Sequence, residues 1–184
     1  MPEVKDVVEV HGKTFEKKLD ASEINAKVSA IAESIAKDYA DKNPIFIAVL
    51  NGAFMFASDL LKQLPFNCEI AFIKLASYSG TQSTGQVKNL IGLNHPIKDR
   101  HIIIIEDIVD TGETAVHLMN ELQKANPASI SMATFLCKPD AMVQKVTPKY
   151  VGFEIPPDFV IGYGLDYDGL GRNLPHIYEL IKQD

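Results

Sequence analysis

Glu106 and Asp107 stand side by side after the apolar run 101–105, and Asp110, Thr111, Gly112, Glu113 and Thr114 follow within seven residues. Two adjacent carboxylates at a strand end repel one another, and that repulsion calls for a ligand to offset it. The Thr111-Gly112 turn leaves backbone amides free where a helix begins, a natural seat for a phosphate monoester. The acids would repel such a phosphate, so they should face something else, either sugar hydroxyls or Mg²⁺. Amides for a phosphate and acids for a diol together fit a sugar-phosphate ligand. A plainer reading makes Asp110 or Thr111 a helix N-cap and Glu113 a first-turn acid favoured by the helix dipole. It leaves the acid pair without a reason.

The elements that must hold these residues follow from periodicity. Asp20-Ala21-Ser22-Glu23 has the form of a capping box, and Ile24, Val28, Ile31, Ile35 and Tyr39 continue at helical spacing until Asn43-Pro44. The continuously apolar Ile45–Leu50 suits a strand covered on both faces. A second helix is expected to carry Phe56, Leu60, Leu61 and Leu64, and a third Ala115, Leu118, Met119 and Leu122. Strand-like runs recur at Glu69–Ala76, 101–105, Ser129–Cys137, 150–155 and 159–163. Alternation of this kind predicts an α/β fold, an open parallel sheet with helices on both faces. Ligands in such sheets bind beyond the carboxyl ends of the strands, where the acid pair falls.

The 184 residues, 46% hydrophobic and 23% charged, suit a single globular domain over 1–184. Acids outnumber Lys and Arg by 24 to 18, giving a net charge of −6, and no basic run appears. Nucleic acid is therefore not expected as the ligand. No apolar run approaches a membrane span and no basic-then-apolar leader is visible, which points to a cytoplasmic protein without membrane contact. Cys68 and Cys137 lie in apolar stretches without paired spacing and read as core residues of a reducing compartment. The histidines show no metal-ligand spacing, so His101 and His117 read as surface or satisfied residues.

Residues 102–114 resemble the phosphoribosyl-pyrophosphate motif of type I phosphoribosyltransferases: an apolar strand, the acid pair, Asp110, Thr111-Gly112 and Thr114. Leu50-Asn51-Gly52-Ala53-Phe54, Lys74-Leu75-Ala76-Ser77-Tyr78 and Lys138-Pro139 narrow the likeness to the hypoxanthine-guanine branch. So do the stretch 159–167 and Arg172-Asn173-Leu174-Pro175, and the segments run in the family's order from about residue 45 onward.

The resemblance implies transfer of a 6-oxopurine base onto phosphoribosyl pyrophosphate, giving the nucleoside monophosphate and pyrophosphate, with Mg²⁺ as cofactor. It implies a general base at Asp110, and ribose and 5′-phosphate held by Glu106, Asp107, Thr111, Gly112 and Thr114. Pyrophosphate falls to Asn51, Gly52, Arg172, Ser77 and Tyr78, the purine to Lys138, Phe159, Val160 and Asp166, and the metal to Glu106, Asp107 and Asp166. Many relatives carry Lys where Asn51 stands, which shifts weight onto Arg172 and Mg²⁺. The small, polar loop 77–85 is expected to belong to a lid near 77–90 that excludes water from the reacting sugar. A base-binding hood is expected largely from 150–184, and assembly as a homodimer or homotetramer. Read alone, Asn51-Gly52 is a tight turn, Lys138 a surface lysine, Phe159 a core ring and Asp166 a turn cap. Two other functions stay open: a regulator that keeps the sugar-phosphate site without transferase activity, and a phospho-acceptor domain. The second would want its acid pair after the first strand, where Asn51-Gly52 stands.

Overall fold

Residues 6–76, 88–91 and 96–182 are described by a computed structural model of the chain. In order the elements are β1 Val7–Val10, β2 Lys13–Leu19, α1 Ala21–Tyr39, β3 Ile45–Leu50, α2 Phe54–Leu61, β4 Glu69–Ala76 and β5 Lys88–Ile91. There follow β6 His101–Val109, α3 Glu113–Gln123, β7 Ser129–Cys137, β8 Tyr150–Glu154, β9 Val160–Ile161 and β10 Ile177–Leu180.

The capping box is present as expected. Asp20 accepts from the amides of Ser22 at 2.7 Å and Glu23 at 3.0 Å, and Glu23 accepts from the Asp20 amide at 2.9 Å. Helix α1 then buries Ile24, Val28, Ile31, Ile35 and Tyr39. Helix α2 stops at Leu61, so Leu64 packs from the turn beyond it rather than from the helix.

The main sheet has the order β5-β4-β3-β6-β7-β8. All its pairings are parallel except that of β4 with the edge strand β5. Ile45, Ile47, Ile102 and Ile104 meet α3 on one face, while Phe46, Ala48, Ile103 and Ile105 meet α1 and α2 on the other. Both faces of β3 and of the 102–105 stretch of β6 are thus covered, which is why both read as unbroken apolar runs.

Three expectations need correction. Strand β6 does not end at residue 105; its pairing with β7 continues through Glu106–Thr134, Ile108–Leu136 and Val109–Cys137, so the acid pair lies inside the strand. Side-chain alternation slips by one residue there, since Ile108 joins the face of Ile105 and Val109 that of Ile104. The last run is only Val160–Ile161, because Gly162 and Tyr163 turn to positive φ. It also belongs to a second, four-stranded antiparallel sheet of order β1-β2-β10-β9 around Phe15, Ile161 and Tyr178. Of the loop expected near 77–90, residues 77–87 lie outside the described residues, and 88–90 fall in β5. No described helix is long and apolar enough to cross a membrane.

Candidate active site

β3 and β6 are neighbours, but the chain leaves β3 for α2 on one face and leaves β6 for α3 on the other. That divergence opens a crevice at the carboxyl ends of the two strands. A cavity of 390 Å³ occupies it. The turn after β3 contributes Asn51 and Gly52, and β6 with its following loop contributes Glu106, Asp107, Asp110, Thr111, Gly112 and Thr114. Asp166 and Arg172 close the cavity from the segment after β9. Val49, Leu50, Ile108, Val109 and Ala115 give it an apolar floor, which sequence reasoning did not assign.

The acids differ in environment. Glu106 is buried, and burial together with the neighbouring Asp107 charge drives its carboxyl well above the usual carboxylate range. Asp107 is pushed up to about 6 by burial, against the Ile108 amide that donates to it at 2.9 Å and the Arg172 charge. Asp107 also explains Gly52: a Cβ on that glycine would lie 1.4 Å from the Asp107 Oδ2 atom. The acid and the turn after β3 therefore interlock.

The helix start departs from the plainer sequence reading. Neither Asp110 nor Thr111 is the N-cap of α3; Gly112 takes that place at φ +80°, with no side-chain cap. A Cβ there would meet the Gln144 carbonyl oxygen at 2.1 Å, so close packing as well as backbone conformation selects glycine. Thr111 Oγ1 makes only a long 3.4 Å contact with the Glu113 amide. Amides at this helix start thus remain available to an anion. The loop is held from behind, where the Thr111 carbonyl accepts from the Val143 and Gln144 amides, both at 2.9 Å.

Lys138 is not the surface residue that its sequence position alone suggests. Its side chain is 8% exposed and its Nζ lies 2.8 Å from Asp110 Oδ2, while Asp110 itself is 47% exposed. Across the cavity, Arg172 pairs with Asp166 at 2.6 Å and donates to the Gly164 carbonyl at 2.7 Å. Asp166 in turn accepts from the Gly169 amide at 2.7 Å. Gly164, at φ +103°, packs so closely on the turn after β3 that a Cβ would lie 2.0 Å from the Gly52 carbonyl oxygen. This contact, which ties the segment after β9 to the cavity, carries no signal in sequence beyond the glycine itself.

Phe159, Val160 and Lys138 are not among the cavity's lining residues. Val160 is buried in β9, whereas Phe159 is 44% exposed and leans on Tyr167 with ring centroids 5.6 Å apart. Tyr167 and Phe15, whose ring also meets Phe159, were not assigned to the site from sequence. Ser77 and Tyr78 lie outside the described residues.

Residues 18–168 match the phosphoribosyl transferase domain family. The chain is 38% identical to the hypoxanthine-guanine phosphoribosyltransferase of Lactococcus lactis subsp. lactis over 90% of its length and 91% of that protein. It is 40% identical to the protein of the same name from Mycobacterium tuberculosis over 86% of its length and 82% of the relative. Among solved structures, the hypoxanthine phosphoribosyltransferase of Staphylococcus aureus superposes with a TM-score of 0.85 at 37% identity, covering 96% of this chain and 92% of that one.

Proposed function

The chain belongs to the phosphoribosyltransferase family, in its hypoxanthine-guanine branch, and on that premise we propose that it is a purine salvage enzyme. It converts hypoxanthine, and guanine likewise, with 5-phosphoribosyl 1-pyrophosphate into the nucleoside monophosphate and pyrophosphate. The observation that carries this reading is the single cavity lined by the acid pair, the uncapped helix start, Asp166 and Arg172. Each matches one part of the sugar substrate.

Thr111, Gly112 and Thr114 receive the 5′-phosphate at the amino end of α3. Glu106 and Asp107 face the ribose diol, whose hydroxyls donate to their oxygens. Asn51, Gly52 and Arg172, with Ser77 and Tyr78, take the pyrophosphate. Arg172 must share its guanidinium between that group and Asp166. Lys138, Phe159, Val160 and Asp166 receive the purine, with the open face of Phe159 as a stacking surface. A purine N–H bond breaks, with its proton passing to the Asp110 carboxylate. The freed nitrogen bonds to the sugar C1′ as the C1′–O bond breaks, its electron pair leaving with pyrophosphate.

Mg²⁺ fits this donor set in one form only. Among the described residues no group of three or more His, Cys, Asp or Glu forms a cage. Asp107 and Asp166 nevertheless bring hard oxygens to the cavity, close enough for the Asp166 charge to raise Asp107. An ion shared between such carboxylates, substrate oxygens and water is the usual Mg²⁺ pattern. Bound there, it would supply charge neutralisation for the pyrophosphate. Burial weighs against Glu106 as a ligand, because it disfavours the charged form that a cation requires.

The loop near 77–90 as a lid, a hood around 150–184, a homodimer or homotetramer and a cytoplasmic location belong to the same proposal. Nothing in the described residues favours the regulatory alternative. The test is pyrophosphate release from phosphoribosyl pyrophosphate with and without hypoxanthine, in Mg²⁺ and after chelation. Release that depends on both base and metal supports the reading; substrate binding without base-dependent release supports the regulator.

A further inference from the structure

Lys138 and Asp110 hold each other at 2.8 Å in the ligand-free protein. On the function proposed above, both have separate work to do: Asp110 takes a proton from the base, and Lys138 meets the purine, where its ammonium, which only donates, suits the accepting carbonyl at the 6-position of a 6-oxopurine. While the ammonium occupies Asp110 Oδ2, that oxygen is not free to take the proton of the base. The geometry points to Lys138 as a lock on Asp110 that only a base with an acceptor at its 6-position releases.

The surroundings support a lock rather than a chance contact. The Lys138 amide donates to the Val109 carbonyl at 2.9 Å, and its own carbonyl accepts from Ala141 at 3.1 Å. The backbone is thus pinned beside the end of β6, which leaves the side chain as the part that can move. That side chain is nearly buried, so its ammonium must keep a partner at all times. Asp158 also feels the Lys138 charge, but it is already paired with Lys182 at 2.8 Å. Asp110 is the available partner, and a 6-carbonyl entering the site is its replacement.

The consequence is a form of specificity that acts on turnover as well as on binding. A base that bears only hydrogen at its 6-position cannot draw the ammonium away, so Asp110 stays engaged even when that base saturates the site. A merely recognising lysine would produce a different pattern, in which such a base binds poorly and then reacts normally.

The experiment compares hypoxanthine with unsubstituted purine in wild type, Lys138→Met, Lys138→Gln and Asp110→Asn, with circular dichroism melts to establish folding. In wild type the defect with unsubstituted purine should persist in kcat at saturating base. A defect confined to KM overturns the lock, and this measurement needs no variant. In Lys138→Met or Lys138→Gln, use of hypoxanthine should fall while kcat for unsubstituted purine rises about tenfold over wild type. Asp110→Asn combined with either should lose that gain. A Lys138 variant that leaves unsubstituted purine at or below its wild-type kcat contradicts the lock while leaving the transferase reading intact. A wild-type protein inert toward hypoxanthine removes both.

Discussion

Only Ile108 and Val109 separate Asp107 from Asp110, yet burial pushes the first carboxyl up to about 6 while the second shares an oxygen with Lys138. The elevation of Asp107 has a consequence for stability. The folded state retains a proton that the unfolded chain releases near pH 3.8, so ligand-free stability is lost as pH rises from about 4 through 6. Discounted for the open cavity beside it, the cost at pH 7 is on the order of 2 kcal/mol. Asp107→Asn should therefore melt higher than wild type at pH 7 and change less between pH 5 and 7, Glu106 supplying the remaining slope. A variant less stable than wild type at pH 7 contradicts this. Ligand-free, the site is held under electrostatic stress. Asp110 carries the opposite kind of prediction, because Asp110→Asn keeps the shape and loses the proton acceptor. Its kcat should fall by about 10²–10⁴-fold with the fold intact. Steady-state turnover near the wild-type value would remove Asp110 from the chemistry.

At the scale of elements, the site depends on how the turn after β3 fits against β6. Gly52→Ala would drive a Cβ to 1.4 Å from Asp107 Oδ2, so the turn or the acid must move. A displacement on the order of 1 Å in a reacting site costs about 100-fold. A kcat/KM for phosphoribosyl pyrophosphate within a few-fold of wild type would show that this interlock is not needed. That dependence was only partly legible in sequence. Helix α1, β3, β4 and β7 could be read directly, since period and capping residues act locally. The loop 110–114 was legible as the opening of α3, although Gly112 rather than Asp110 or Thr111 begins the helix. The length of β6 was not, because charged residues argue against a strand interior unless a cavity receives them. The second sheet escaped as well. Strand β2 surrounds Phe15 with Lys13, Glu16, Lys17 and Lys18, and its partner β10 pairs Leu180 with Phe15 from the far end of the chain. The burial of Lys138 likewise arises from a partner on another strand's loop, which no local pattern announces.

The whole molecule brings a net charge of −6 to a substrate that is itself strongly anionic. Around one cavity the chain gathers helix-start amides, Arg172 and carboxylate oxygens of a kind suited to Mg²⁺. The parallel sheet places the acid pair and the start of α3 at the divergence of β3 and β6. The second sheet sets Phe159 against Tyr167 and Phe15. On the proposed function Lys138 reads the 6-position of the base, and its character decides which base is accepted. An ammonium only donates, hypoxanthine presents an accepting carbonyl at the 6-position, and adenine presents a donating amino group. An unmade hydrogen bond in a closed site costs about 1–3 kcal/mol, more where one group is charged. Sites built on such complementarity discriminate by about 10⁴-fold. The most direct measurement is kcat/KM for hypoxanthine and for adenine with phosphoribosyl pyrophosphate and Mg²⁺. A preference for hypoxanthine on the order of 10⁴-fold is the predicted result. Adenine used within about tenfold of hypoxanthine would contradict the role of Lys138 and the 6-oxopurine reading together.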